Sequence, residues 1–151
     1  MFQKMWSYLS TWLRSLLIST VENLENKEAV THQLYSIPSK FYDIFRVFYG
    51  PAIAQQFLNL LTNFLTSAMN LIEALKTGEN ELVDSSTVRM YQIADELARF
   101  LSQINVYWEE EQWRNLLQQF ISLFINETVE MLAGNYDREI AIFNKLDDIT
   151  D

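Results

Sequence analysis

Side chains that could carry chemistry are few in this chain. His32 is the only histidine, and cysteine is absent. A di-metal site in a helical bundle needs Glu-x-x-His on two helices, so that both ligands project inward one turn apart, and no such pair occurs. The sequence also lacks a glycine-rich phosphate loop, a zinc-ligand spacing, a haem motif and a serine at a strained elbow beside His32. We therefore predict no metal and no cofactor.

Acidic residues are the remaining candidates for a site. Glu127 lies on the apolar side of a predicted helix, and a buried carboxylate is costly unless it is paired or protonated. Arg14 or Arg99 could be its partner. A structural ion pair is one interpretation, and a ligand or acid–base role is the alternative. Asp95-Glu96 flanks another apolar stripe. The candidates for buried polar positions are Arg14, Asp95, Glu96 and Glu127.

The stretch from Phe48 to Ile72 contains no acidic or basic side chain. Apolar residues recur through it at the spacing of one helix face. The opposite face is polar but uncharged, whereas a solvated face normally carries Lys and Glu. We predict that this face lies inside a bundle or against a partner; burial under a short helix at 40–49 is the alternative. The interface candidates are Gln55, Asn59, Thr62, Asn63, Thr66 and Asn70.

Four amphipathic stripes indicate the elements that must position these residues. Pro38 is expected to break the chain between two short helices, because proline disfavours the α conformation of the residue before it. The predicted pieces are helix A at 2–24, short helices at 28–35 and 40–49, helix B to Lys76, helix C at 84–104, helix D at 109–133 and a last short helix at 137–146. The predicted fold class is all-α, a four-helix bundle with accessory short helices in a single domain, 1–151.

Charge and hydropathy restrict the partners. The formal net charge is −9, and no basic stripe is present to meet phosphates, so nucleic acid is not an expected partner. Arg14 interrupts the apolar N-terminal run, which argues against a signal peptide. A span at 48–72 would place many amide and hydroxyl side chains in lipid, so membrane insertion is disfavoured. A cytoplasmic protein is expected.

A set of short matches in order along the chain resembles a family of small uncharacterised helical-bundle proteins of clostridia and bacilli, often labelled acetylglutamate kinase. The matches include Trp12-Leu13-Arg14, Lys76-Thr77-Gly78-Glu79, Ala94-Asp95-Glu96-Leu97-Ala98, and Leu123 with Glu127. The resemblance implies a bacterial helical bundle and supplies no activity, because nothing in these residues supports a kinase. Three histidines of the family are absent here, and their positions hold Leu9, Phe64 and Phe120. All three fall on apolar stripes and are expected to face one interior.

The residues favour a non-enzymatic bundle that acts through protein–protein contact or self-association, as a metal-free relative of a family whose three histidines could bind metal. The expected partner is a second copy in a homodimer or another protein. A metal-binding or enzymatic bundle that uses Glu96 and Glu127 is one alternative. A membrane-surface binder that uses the aromatic helix A is another, which the charge of −9 argues against.

Overall fold

The computed structural model describes residues 2–150 and the side chains of residues 4–149. Within this part of the chain every regular element is an α-helix, so the predicted all-α class is confirmed. The helices are α1 (Phe2–Val21), α2 (Lys27–Tyr49), α3 (Pro51–Thr77), α4 (Asn80–Ile104), α5 (Glu110–Leu132) and α6 (Tyr136–Thr150). The four predicted long helices are α1, α3, α4 and α5, and α2 and α6 complete the bundle.

Helices that follow one another in sequence pack against one another in space, and α6 returns to pack against α1. The described helices therefore form a closed ring. Inside the ring, α1, α3 and α5 also contact one another. One continuous apolar core runs through all six helices, from Leu9 and Leu34 to Leu146.

The apolar stripes face this core. Leu9 and Phe64 are fully buried and Phe120 is almost so, and the rings of Phe64 and Phe120 lie 6.1 Å apart. The expectation that these three side chains face one interior is thus confirmed. Helix A, predicted at 2–24, is shorter in the structure, because α1 ends at Val21 and leaves Leu24 exposed.

The expected break at Pro38 is wrong, because α2 runs without interruption through it. Proline in a helix interior costs about 3 kcal/mol, since it removes a hydrogen bond and crowds the preceding turn. Burial of one large apolar side chain returns roughly 1.5–3 kcal/mol, and the face of α2 that carries Pro38 buries several. The buried members of that face are Val30, Leu34, Ile37, Pro38, Phe41 and Phe45. Packing therefore outweighs the local preference.

Two other boundaries also differ from the prediction. Helix α4 begins at Asn80 rather than near Asp84, and α6 extends from Tyr136 to Thr150 rather than from 137 to 146. The predicted end of helix B at Lys76 agrees to within one residue, because α3 ends at Thr77. Gly78 follows the helix in the left-handed conformation, with φ of 76°, and its N–H donates to the carbonyl of Ala74. No helix among the described residues is both long and apolar enough to cross a membrane.

Candidate functional site

The uncharged polar face of α3 lies at the surface. Gln55, Asn59, Asn63, Thr66 and Asn70 are exposed, and Thr62 is half-buried. The prediction that this face is enclosed by the bundle or by residues 40–49 is therefore wrong, and its contact with a partner stays a prediction. We call these residues, together with the exposed Gln56, the α3 face.

Few hydrogen bonds tie the α3 face to the rest of the chain. Gln55 Nε2 donates to Asn59 Oδ1 at 3.0 Å, within the same face. The hydroxyls of Thr66 and Tyr35 are 2.8 Å apart, which links the face to α2. Most of its amides thus keep donors and acceptors that another molecule can use. Amides lose less free energy on desolvation than charged groups do.

An ionic cluster lies where α1, α5 and α6 meet; both of its acids are buried, and Arg14, predicted to be buried, is half-buried. The guanidinium of Arg14 donates two hydrogen bonds to Glu139, from Nε at 2.7 Å and from Nη2 at 3.0 Å. Glu139 is 1% exposed, and Glu127 on α5 is also 1% exposed. Atom Oε2 of Glu127 is buried and has no hydrogen-bond partner among the described residues. Arg14 was one of the two expected partners of Glu127, but its guanidinium binds Glu139 instead.

Burial dominates the electrostatics of this cluster. It raises the pKa of Glu127 from 4.5 to about 8, and the nearby charge of Glu139 adds to the increase, while Arg14 opposes it. The hydrogen bonds that Arg14 donates to Glu139 raise the pKa of Arg14. Arg14 therefore stays charged and Glu127 is mostly protonated at neutral pH. The cluster can hold and release one proton near pH 8.

The sequence places both acids on apolar stripes. On α5 the stripe carries Phe120, Phe124, Glu127 and Met131. On α6 Glu139 precedes Leu146 by seven residues, which is two helical turns. We did not predict Glu139 from the sequence, although its spacing to the buried Leu146 is the signal that could have identified it.

Asp95, Glu96 and Arg99 do not join this cluster. Asp95 is half-buried and accepts a hydrogen bond from Arg114 Nε at 3.0 Å. Glu96 is exposed, so its prediction as a buried polar residue is wrong: its helical position turns it away from the stripe of Leu97 and Leu101. Arg99 was the other expected partner of Glu127. Its Nε lies 3.6 Å from Oε1 of Glu110, and its side chain is 61% exposed.

His32 is exposed on α2, away from the ionic cluster. Beside it lies an open groove of about 730 Å³. Its lining comes from α2 and the turn before it: Glu25, Lys27, Glu28, Thr31, His32, Tyr35 and Ser36. Among the described residues no group of three or more His, Cys, Asp or Glu side chains is arranged to hold a metal ion.

Comparison with protein-family models finds no match for this chain, and comparison with curated proteins and with solved structures finds none either. The resemblance to the clostridial and bacillary family therefore stays a prediction from the short matches alone.

Proposed function

We propose that this protein is a non-enzymatic helical bundle that acts through protein–protein contact or self-association at the α3 face. The observation that carries the proposal is the exposure of that face. In a chain with 21% charged residues, α3 presents an uncharged polar surface from Gln55 to Asn70. Interfaces are depleted of charged residues at their centres, and amides there can pair across the contact.

The proposal predicts that positive charges on the α3 face abolish the contact. Asn59→Lys and Asn63→Lys are suitable changes, because both side chains are exposed. Thr66 is less suitable, because its change would also remove the contact with Tyr35. Gln119→Lys places the same charge on an exposed position of α5 and is the matched control.

Light scattering after size exclusion measures self-association, and a native pull-down with mass spectrometry measures contact with other proteins. We expect the doubly substituted protein to lose the complexes that the wild type and the Gln119→Lys variant form. Complexes that all survive the α3 substitutions, or the lack of any complex, would contradict the proposal.

A second candidate function, proton or ligand chemistry at Glu127, is favoured by the unpartnered Oε2 and the raised pKa. Glu96, which we considered with it, is exposed on another helix. The discriminating change is Glu127→Gln, which should leave protein contacts intact if the first proposal holds. The membrane-surface alternative has little support, because the apolar side of α1 is used in the core.

A further inference from the structure

Four large hydrophobic residues at the end of α2 and in the α4–α5 loop are strongly exposed. Val47 and Phe48 are each 75% exposed, Val106 is 90% exposed and Tyr107 is 89% exposed. Every other exposed large hydrophobic residue of the described chain is at most 55% exposed. We call these four residues the end patch.

Two contacts join the two segments that carry the end patch. Asn105 Nδ2 donates to the hydroxyl of Tyr49 at 3.1 Å, and the rings of Tyr49 and Trp108 lie 6.5 Å apart. The C-terminus of α2 is thereby fixed beside the α4–α5 loop. Val47 and Phe48 directly precede Tyr49, while Val106 and Tyr107 lie between Asn105 and Trp108. The residues of the end patch are thus held in place by their neighbours in sequence.

Charges of opposite sign flank the two halves. Arg46 precedes Val47, and Glu109 and Glu111 follow the α4–α5 loop. All three are exposed, and none of them forms an ion pair within the described part of the chain. The α2 side of the patch therefore carries the positive charge of Arg46 next to its apolar residues, and the loop side carries the negative charges of Glu109 and Glu111.

We infer that the end patch is the contact surface of a two-fold homodimer. In a two-fold contact the same surface meets itself in reverse, so residues at one site meet different residues at the same site of the partner. This places Arg46 of each copy opposite Glu109 and Glu111 of the other, with the apolar residues of the end patch between them. The inference rests on the proposed function, because it names the partner of a protein that acts by contact.

A second copy fits the patch better than a membrane does. The acidic side and the net charge of −9 disfavour anionic lipid. Stable interfaces bury about 800 Å² on each partner, more than four side chains supply. The remaining area can come from the exposed residues that follow the patch directly along the chain, Pro51, Ala52 and Gln55, where the α3 face begins.

The first test is sedimentation equilibrium over a wide concentration range. Phe48→Ser with Tyr107→Ser should raise the dimer Kd at least tenfold, since aromatic residues at the centre of a contact dominate its free energy. Val88→Ser, a change of an exposed residue on α4, is the control and should leave Kd unchanged. Because all these side chains are exposed in the monomer, melting temperatures measured well below the dimer Kd should stay close to that of the wild type.

The second test reverses the charges. Arg46→Glu alone, and Glu109→Arg with Glu111→Arg alone, should each weaken the homodimer about tenfold. Mixing the two variants should give a heterodimer of nearly wild-type affinity, because each copy then offers the charge that the other lacks. A heterodimer no tighter than either variant homodimer would overturn the two-fold arrangement.

The other outcomes separate this inference from the proposed function. A monomer at all concentrations overturns the homodimer, as does a monomer that floats with neutral phosphatidylcholine vesicles through Phe48 and Tyr107. If the patch substitutions leave the dimer Kd unchanged while Asn59→Lys with Asn63→Lys abolishes the dimer, the inference is overturned and the α3 face remains the interface. A dimer sensitive to the patch and insensitive to the α3 face supports the inference and removes the α3 face from the proposed function.

Discussion

Glu127 is a carboxyl group in a buried position, and the nearby arginine is bound to another acid. The folded protein therefore favours the protonated form. In the unfolded chain the pKa returns to an ordinary value of about 4.3. Between about pH 4.3 and 8 the folded state binds more protons than the unfolded state at this site, so stability falls as pH rises through that range.

We expect Glu127→Gln to remove this pH dependence, because glutamine keeps the shape but does not ionise. Denaturant titrations measure the free energy of unfolding at pH 5 and at pH 9. Between these pH values it should fall more for the wild type than for Glu127→Gln, by an amount on the order of a few kcal/mol. Glu96→Gln, at an exposed acid, is the control and should show the same fall as the wild type. Equal pH profiles for wild type and Glu127→Gln would mean that the buried carboxyl titrates normally.

The ion pair of Arg14 and Glu139 makes a separate prediction. Arg14→Gln leaves Glu139 buried without its partner, so we expect the free energy of unfolding to fall by about 3–5 kcal/mol. Arg99→Gln removes an exposed pair with Glu110 and should cost less than about 1 kcal/mol. Adding Glu139→Gln to Arg14→Gln should restore part of the loss; similar costs for the two arginines would show that burial does not strengthen the pair.

At the scale of the helices, the spacing of apolar residues predicted which faces are buried. It did not predict where tertiary packing keeps a helix intact against a local signal to break. The stripes of α3 and α5 were clear because their buried apolar residues recur from Ala54 to Ala74 and from Leu117 to Met131. The continuity of α2 was missed because Pro38 is a strong local signal, whereas its burial against other helices is not visible in the sequence.

The candidate site shows the same limit. The uncharged face of α3 was identified from composition, but its exposure depends on where α2 and α4 pack. Glu127 was identified from its own stripe. Its surroundings require α1 and α6 to meet at the opposite ends of the chain, with Arg14 and Glu139 separated by 125 residues. No local pattern carries that information.

The end of α3 gives a prediction at this scale. Gly78 has φ of 76°, a conformation that side chains with a Cβ rarely adopt, and no heavy atom lies near the position of an added Cβ. Gly78→Ala should therefore lower the free energy of unfolding by about 1 kcal/mol through backbone strain alone. Gly78→Asn should cost less, because asparagine tolerates this conformation better. Equal losses for Ala and Asn in thermal melts would point to a steric cause instead.

For the whole molecule, the packing of α6 against α1 means that residues far apart in the sequence form one core. Leu9, Phe64 and Phe120 come from three helices, yet they belong to one core. Phe64→His should lower the free energy of unfolding by a few kcal/mol, through lost packing and an unsatisfied ring nitrogen. Val88→His, at an exposed residue of α4 outside the end patch, is the control and should cost little. A similar loss for both would argue that the core tolerates polar groups.

The last prediction concerns metal. Transition-metal sites use roughly four to six donors from imidazole, thiolate or carboxylate groups. Around the three core positions the side chains are hydrocarbon, Glu139 is held by Arg14, and protonation of Glu127 neutralises it without a metal. We expect purified protein to contain no stoichiometric iron, zinc or manganese by elemental analysis, and chelators to leave its melting temperature unchanged. About one metal ion per chain that survives dialysis would contradict the non-enzymatic proposal, and Glu127 would then be the first ligand to replace.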